Sequence, residues 1–220
     1  MVINLGATNS LFNEYIAEIR DQNIQKDRLR FRRNMERLGE IFAYEISKKM
    51  SYQKQEVVSP LGISPINRLE KQPVLATILR AGLPLHNGML NYFDQADNAF
   101  ISAYRKHNKD GSFKIKLEYV SCPDLTDKVL ILTDPMLATG ASLVLTFKTL
   151  LNYGKPKDVH FVTAIACADG VNYLKRHLSL EKYTLWVGAI DDELTAQSYI
   201  VPGLGDAGDL AFGSKLNGEL

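Results

Sequence analysis

The feature that most constrains the fold lies between residues 74 and 187, where short, continuous apolar runs alternate with segments of helical periodicity. The apolar segments are short and almost uninterrupted, as is typical of strands buried on both faces of a parallel sheet. Helices packed on both faces provide that burial and carry the chain back to begin the next parallel strand. The sequence therefore predicts an α/β fold, with a mainly parallel sheet flanked by helices. The predicted strands span residues 74–79, 129–132, 159–167 and 183–187, and the predicted helices span residues 83–93, 142–153 and 171–177.

Further elements precede and interrupt this core. Apolar residues at helical spacing predict one helix over residues 10–20 and a longer one over residues 26–50. Residues 99–104 and 113–120 alternate in character, and the turn-forming Asn108-Lys109-Asp110-Gly111 between them predicts a β-hairpin arm. We expect a single domain, because no linker-like segment divides the chain. Its parts are N-terminal helices over about residues 8–50, a core over about 70–190 and a C-terminal loop over about 191–215, within residues 1–220.

Composition argues against several classes of protein. The 26 basic and 25 acidic residues nearly cancel, so the formal net charge of +1 gives no reason to expect nucleic acid as a partner. Two cysteines are too few for a disulfide framework, and the four histidines lack the spacing of a metal site. No apolar stretch is long enough to cross a bilayer, and the first residues do not resemble a secretory signal. We therefore expect a cytoplasmic protein with no membrane partner.

The segment after the predicted strand 129–132 carries the strongest functional signal. Asp134 stands at the end of this strand, and a short loop then leads into the next predicted helix. A helix N-terminus favours a phosphate, Gly140 allows close backbone approach, and Thr139 and Ser142 add hydroxyl donors. Asp134 is itself negative, so its sensible partner is a pair of sugar hydroxyls or a metal ion. The segment matches neither a Walker loop nor a GxGxxG fingerprint, and it predicts a site for a ribose 5′-phosphate.

Two arginines end successive predicted strands, and the first of them, Arg80, suggests a second anion site. Arg80 ends the strand 74–79, and Gly82 soon after suits a loop that wraps around a charged group. The planar guanidinium fork matches the geometry of a pyrophosphate. Arg105 ends the next predicted strand and opens a polar loop over residues 106–112, which could close over a substrate and exclude water.

The C-terminal run from Tyr199 to Asp209 has the composition of an ordered loop. Its glycines are too dense for the interior of a helix or strand, while Ile200 and Phe212 are typical buried anchors. Small residues let the main chain lie close to a ligand. Main-chain N–H and C=O groups can pair with a ligand that carries alternating donors and acceptors along one edge. The run therefore predicts a ligand site built largely from backbone.

These segments resemble the type I phosphoribosyltransferases, and among them the uracil phosphoribosyltransferases. The resemblance rests on residues 78–83, 133–142 and 199–209 and covers nearly the whole chain. It implies the type I phosphoribosyltransferase fold and, in pyrimidine salvage, the reaction of uracil with phosphoribosyl pyrophosphate (PRPP) to give uridine monophosphate and pyrophosphate. It also implies a homodimer or larger assembly, GTP as a candidate effector, and Mg²⁺ held mainly by PRPP and water without a direct protein ligand.

The resemblance also implies a role for individual residues. The expected catalytic residues are Arg80, Arg105, Asp134 and Asp206. The expected PRPP contacts are Arg80, Arg105, Asp134, Pro135, Met136, Leu137, Ala138, Thr139, Gly140, Ala141, Ser142 and Asp206. The expected uracil contacts are Ile200, Gly205, Asp206 and Ala207. A non-proline cis peptide bond can occur in the loop at Arg80 of such enzymes.

Three departures from the family pattern and two alternative functions accompany this interpretation. Pro84-Leu85-His86 stands where the family usually has Gly-Met, Ala141 replaces a second glycine, and Leu210 replaces a basic residue. His86 is thereby a further candidate phosphate contact. The first alternative is a phosphoribosyltransferase for a different base. The second is a regulatory protein that binds RNA through the basic face of residues 28–37.

Overall fold

The computed structural model describes the backbone of residues 1–107, 113–178 and 183–215, and the side chains of residues 103–117 also lie outside the described part. The described strands are β1 (Val2–Asn4), β2 (Tyr52–Ser59), β3 (Gly62–Leu69), β4 (Val74–Leu79), β5 (Asp97–His107), β6 (Phe113–Ser121), β7 (Val129–Thr133), β8 (Met136–Leu137), β9 (Asp158–Cys167), β10 (Tyr183–Asp191), β11 (Glu193–Leu194) and β12 (Ile200–Val201). The described α-helices are α1 (Leu11–Arg20), α2 (Arg28–Ser47), α3 (Leu83–Tyr92), α4 (Ala141–Leu150), α5 (Ala168–His177) and α6 (Ala207–Phe212). Short 3₁₀ turns cover Leu5–Ala7, Ile24–Lys26 and Leu151–Tyr153.

The described strands assemble into a central mixed sheet in the order β1-β10-β9-β7-β4-β5-β6, with β8 paired beside β9. All of these neighbours are parallel except β5 and β6, which are antiparallel. The prediction of a mainly parallel sheet flanked by helices is confirmed. Because β4 lies between β5 and β7, the loops that follow these parallel strands open at the same edge of the sheet.

Hydrophobic packing covers both faces of the sheet, as the uninterrupted apolar strands require. Successive residues of β4 alternate between two cores: Leu75 packs in the first, and Val74 and Ala76 pack in the second. The first core contains α1, α2 and α3, with Phe42 among its large buried side chains. The second core contains α4 and α5, with Phe147 among its large buried side chains. The candidate site at the sheet edge is therefore built on well-packed elements.

Most predicted elements are found within a few residues of their expected bounds. The strand predicted over residues 74–79 is β4, and the helix predicted over residues 10–20 is α1. The predicted hairpin is confirmed as the antiparallel pair β5–β6, although it forms the edge of the main sheet rather than a separate arm. Its predicted turn, Asn108–Gly111, lies outside the described residues.

Two features of the fold have little signal in the sequence. Strand β1 is three residues long, too short to show a period, yet it extends the sheet beside β10. Strands β2 and β3 form a separate two-stranded ribbon whose side chains are largely exposed, including Val58 and Ile63. A ribbon without a buried face has no reason to alternate apolar and polar residues, so the pattern that usually marks strands is absent here.

The prediction of a loop over the C-terminal run is partly wrong. Strand β12 pairs antiparallel with β11, and α6 begins at Ala207. The helix forms because the Asp206 carboxylate caps it, accepting a 2.9 Å hydrogen bond from the Asp209 backbone N–H. Among the described residues, no helix is long and apolar enough to span a membrane.

Candidate active site

The loop after β4 and the loop after β7 lie side by side. Thr77 on β4 is the register partner of Thr133 on β7, so Arg80 and Asp134 each follow their strand at the same sheet edge. A Cβ atom on Gly82 would be 2.2 Å from Thr77 Oγ1 and 2.8 Å from the Ile78 carbonyl oxygen, both on β4, and 3.3 Å from the Thr133 carbonyl oxygen at the end of β7. Glycine therefore lets the first loop fold back against β4 and lie close to the end of β7.

The backbone of the loop after β7 is held against β9. The Asp134 N–H donates to the Val162 carbonyl at 3.0 Å, and the Ile165 N–H donates to the Pro135 carbonyl at 3.1 Å. Strand β8 continues this pairing, with Met136 opposite Ile165. The first residues of the loop are therefore hydrogen-bonded to β9 as an extension of the sheet, and this pairing fixes their backbone before α4 begins.

The loop then curves around the N-terminus of α4. Gly140 has a φ of +82°, a left-handed conformation that favours glycine, and the Ala141 N–H donates to Thr139 Oγ1 at 3.4 Å. Most residues predicted to contact PRPP here line one small concave pocket, whereas Pro135 and Ala141 do not. The pocket is lined by Asp134, Met136, Leu137, Ala138, Thr139, Gly140, Ser142 and Leu143. Hydroxyl groups, backbone N–H groups and one end of a helix macrodipole therefore surround a cavity suited to a phosphate.

Helix α5 supports this pocket from behind, which was not predicted. A Cβ atom on Gly170 would be 2.4 Å from the Ala138 carbonyl oxygen and 2.8 Å from that of Leu137. In turn, a Cβ atom on Gly140 would be 2.9 Å from the Gly170 carbonyl oxygen. The two backbones are thus in direct contact. The sequence shows Gly170 as one glycine in a helical segment, without a sign of what it faces.

Arg80 joins the first loop to the C-terminal segment. Its Nη2 donates to Asp209 Oδ1 at 2.6 Å and to the Gly213 carbonyl at 2.8 Å, and its Nε is buried with no partner among the described residues. A Cβ atom on Gly208 would be 3.5 Å from Arg80 Nε. The Leu79–Arg80 peptide bond is cis, which confirms the expectation drawn from the family resemblance. The structure thus brings the predicted pyrophosphate loop and the predicted base loop together.

The residues predicted to contact uracil differ in exposure. Ile200 and Ala207 are buried, Asp206 is half-buried, and Gly205 is exposed with a φ of +93°. The Ile200 side chain packs into the first core, so only its main chain is placed to face a ligand. Asp206 caps α6 through one oxygen, and its Oδ2 lies 3.8 Å from Lys215 Nζ. The segment reaches the Arg80 loop through the Asp209 carboxylate and the Gly213 carbonyl.

Arg105 and His86 are the remaining candidate residues. Arg105 lies on β5 opposite Ile115, but its side chain and the loop that follows β5 lie outside the described residues. His86 is buried in α3 with 1% of its surface exposed, and its ring lies 5.3 Å from that of Phe100. Burial lowers the pKa of His86 and keeps the ring neutral. The alternative that His86 contacts a phosphate is therefore not supported, because the ring is buried in the protein interior.

The carboxylates of the site suit a loosely held metal ion. Within residues 1–107, 113–178 and 183–215, no three His, Cys, Asp or Glu side chains gather into a metal-binding group. Asp134 and Asp206 nevertheless supply the hard oxygen donors that Mg²⁺ prefers. Mg²⁺ usually takes one or two carboxylates and keeps water and substrate phosphates as its other ligands. The donors present fit that mode of binding.

Comparison with known proteins identifies the family. The model of the family described as uracil phosphoribosyltransferase matches residues 7–214. The chain belongs to the uracil phosphoribosyltransferase family. A uracil phosphoribosyltransferase of Porphyromonas gingivalis is 55% identical over 215 residues, which cover 98% of this chain and 99% of that protein. One of Thermococcus gammatolerans is 36% identical over 208 residues, which cover 92% of this chain and 89% of that protein.

A solved structure supports the fold of this uracil phosphoribosyltransferase family member. The structure of a protein from Aquifex aeolicus superposes with a TM-score of 0.84 at 28% sequence identity. The match covers 97% of this chain and 98% of that chain. The predicted type I phosphoribosyltransferase fold is confirmed over nearly the whole length.

The basic face of α2, on which the RNA-binding alternative depends, is largely engaged within the chain. Arg30 forms a two-point ion pair with Glu18, and the Arg33 guanidinium pairs with Glu36. Arg32 donates to the Ala211 carbonyl, so it supports α6 rather than facing solvent alone. Arg37 lies over the ring of Tyr15. These contacts give most of the arginines of residues 28–37 a structural role.

Proposed function

We propose that this chain transfers the phosphoribosyl group of PRPP to uracil, giving uridine monophosphate and pyrophosphate in pyrimidine salvage. One observation carries the proposal: Arg80 links the loop after β4 to Asp209, beside the phosphate-type pocket after β7. Anion-binding groups and a segment suited to a small base therefore meet at one edge of the sheet. Membership of the uracil phosphoribosyltransferase family supports uracil as that base.

In the proposed reaction, uracil N1 forms a bond to C1 of the ribose while the bond from C1 to the pyrophosphate oxygen breaks. Uracil gives up its N1 proton in the process, to water or to the departing pyrophosphate. Positive charge develops on the ribose and negative charge on the leaving pyrophosphate. Placement of the two substrates and electrostatic stabilisation supply most of the catalysis, since no covalent intermediate is needed.

Each group of site residues binds a different part of the two substrates. The N-terminus of α4, with Thr139 and Ser142, holds the 5′-phosphate. Asp134 accepts hydrogen bonds from the ribose hydroxyls, and Arg80, together with Arg105, binds the pyrophosphate and stabilises it as it leaves. The main chain around Ile200, Gly205, Asp206 and Ala207 orients the uracil ring, and Asp206 also faces PRPP.

Mg²⁺ is the proposed cofactor. When bound, it neutralises part of the negative charge of the pyrophosphate. Among the described residues no three metal-binding side chains gather, which suits an ion held mainly by PRPP and water. We further propose a cytoplasmic homodimer or larger assembly, with GTP as a candidate effector, on the basis of the family resemblance.

The decisive experiment measures pyrophosphate release from PRPP and Mg²⁺ with uracil, cytosine, hypoxanthine or no base. We expect release that depends on uracil. Release with another base would retain the PRPP site and discard the assignment of the C-terminal segment. No release from a folded chain that still binds PRPP would favour the RNA-binding alternative, which a salt-dependent RNA titration would then test.

A further inference from the structure

We propose that Arg20 and Asp191 are positioning residues for the base site, because their ion pair holds both peptide groups of Gly203. The inference rests on the proposed function and deepens it. It names two residues outside the C-terminal run that determine where the uracil-binding main chain lies. Neither residue stood out in the sequence, since each lies at the end of an ordinary helix or strand.

The contacts form a closed arrangement. Arg20 is the last residue of α1, and Asp191 is the last residue of β10. The guanidinium donates two hydrogen bonds to the carboxylate, at 2.8 and 2.9 Å. Arg20 Nη1 also donates to the Gly203 carbonyl at 3.0 Å, and the Gly203 N–H donates to Asp191 Oδ2 at 2.9 Å. The ion pair therefore binds the donor and the acceptor of the same residue.

The burial of this ion pair distinguishes it from the other ion pairs of the helical region. The Asp191 side chain is 8% exposed and that of Arg20 is 21% exposed. A buried charge left without its partner is far more costly than an exposed one, so both side chains are strongly held in place. The Arg30–Glu18 pair, on neighbouring turns of α1 and α2, is more exposed and does not touch the C-terminal run.

Gly203 is the point at which the run turns toward the site. Its φ is +55°, and a Cβ atom there would be 2.1 Å from the Ile200 carbonyl oxygen. A second tether follows at once, since the amide of Gln25 lies 2.9 Å from the Leu204 carbonyl oxygen. The next residues, Gly205 to Ala207, are the proposed uracil contacts. A shift of the Gly203 peptide groups therefore also moves the backbone of Gly205 to Ala207.

Loss of the Arg20–Asp191 ion pair should have little effect on the phosphate pocket that follows β7. Its loop is held by β9 and by α5, through the backbone contacts at Val162 and Gly170. Loss of the Arg20–Asp191 pair is therefore expected to weaken uracil use selectively. A general structural role would instead weaken the use of both substrates, or lower stability alone.

The test compares Arg20→Met, Arg20→Lys and Asp191→Asn with Arg30→Met as the matched control. We expect KM for uracil to rise about tenfold in Arg20→Met and Asp191→Asn, with a smaller rise in KM for PRPP, of about threefold at most, because Asp206 also faces PRPP. Arg20→Lys keeps the positive charge but lacks the planar guanidinium, so KM for uracil should rise only about threefold in this variant. Arg30→Met should leave both values as in the wild-type chain.

A second measurement does not depend on activity. Amide hydrogen exchange within residues 199–206 should become about tenfold faster in Arg20→Met, while exchange within residues 134–142 stays unchanged. A wild-type chain that does not use uracil contradicts the proposed function, and the exchange data still decide the positioning role. Equal shifts of both KM values, or unchanged exchange in residues 199–206, overturn the inference. If Arg20→Met does not fold, Arg20→Lys and Asp191→Asn decide by the same criteria.

Discussion

The Arg80 guanidinium donates a 2.6 Å hydrogen bond to the Asp209 carboxylate, although the two residues are separated by 129 positions in the sequence. The same guanidinium donates to the Gly213 carbonyl. A residue of the proposed pyrophosphate site is thus oriented by the segment that is proposed to bind the base. Binding at one part of the site therefore has a direct structural route to the other.

Removing the Arg80 side chain should impair catalysis far more than folding. In Arg80→Ala we expect kcat/KM for PRPP to fall by at least about a hundredfold, because a charge-assisted, preorganised contact to the leaving group is lost. The side chain lies at the surface of the site and about a third of it is exposed. The midpoint of thermal unfolding should therefore shift by only a few degrees, on the order of what about 1 kcal/mol produces.

Asp209→Asn provides the partner experiment. The amide oxygen can still accept from Arg80, but the charge is gone, so KM for PRPP should rise about fivefold while the chain stays folded. Steady-state kinetics and thermal unfolding of both variants check these expectations. An Arg80→Ala chain that is unfolded, or one with unchanged PRPP kinetics, would contradict the assigned role.

The contact between Gly170 and the PRPP loop gives a second prediction. Gly170→Ala places a methyl group 2.4 Å from the Ala138 carbonyl oxygen, so the loop or the helix must move. We expect KM for PRPP to rise about tenfold and stability to fall by about 1–3 kcal/mol, as in other overpacked sites. Asp169→Ala is the matched control, since it puts the same side chain on the neighbouring, exposed position of α5. Similar kinetics in the two variants would show that α5 does not support the loop.

Much of the fold and part of the site could be predicted from the sequence, because local patterns carried them. The apolar run 74–79 requires burial on both faces, and β4 has that burial. The loop at Asp134 and Thr139 combines a strand end, a glycine and a helix start, so its curvature around α4 could be foreseen. These signals lie within about ten consecutive residues and need no knowledge of distant partners.

The remaining features depend on contacts between distant parts of the chain. Nothing near Arg20 indicates that it faces Asp191, and Gly170 does not reveal in the sequence that it touches Ala138. The helix α6 was missed because glycine density argued for a loop. The Asp206 cap is a local contact that outweighs this low helix propensity, whereas the close approach of Gly208 to Arg80 joins distant parts of the chain.

The hydroxyl group of Thr139 offers a third prediction. Thr139→Val keeps the shape of the side chain and removes the hydroxyl that lines the proposed phosphate pocket. Loss of one hydrogen bond to a charged group should raise KM for PRPP about tenfold, with kcat less affected. Thr149→Val near the end of α4 removes a hydroxyl that donates to the Leu145 carbonyl, away from the pocket, and should leave the kinetics unchanged. If both substitutions have equal effects, the phosphate assignment fails.

A pH-dependent loss of stability is expected at His160. Trp186 Nε1, on β10, donates at 3.1 Å to Nδ1 of His160 on the neighbouring strand β9, so the neutral ring carries its proton on Nε2. Burial lowers the pKa of His160 below its ordinary value of 6.5, although Asp158, 3.8 Å away, opposes the shift. Below pH 6.5 the unfolded chain therefore binds more protons here than the folded chain. Stability should fall as the pH is lowered, by up to about 1.4 kcal/mol for each pH unit from this group.

His160→Asn tests this expectation, because its amide oxygen can accept from Trp186 but does not titrate. The variant should be less stable at pH 7.5, since the smaller side chain leaves a gap, yet its stability should depend less on pH between 6.5 and 5, by about the slope of one buried histidine. Urea unfolding followed by fluorescence of Trp186, the single tryptophan of the chain, measures both quantities. His177→Asn, at an exposed position of α5, is the control for the substitution of a histidine by asparagine. An unchanged slope in His160→Asn would mean that His160 does not titrate on unfolding in this range, and that the remaining dependence arises from other groups such as the buried His86.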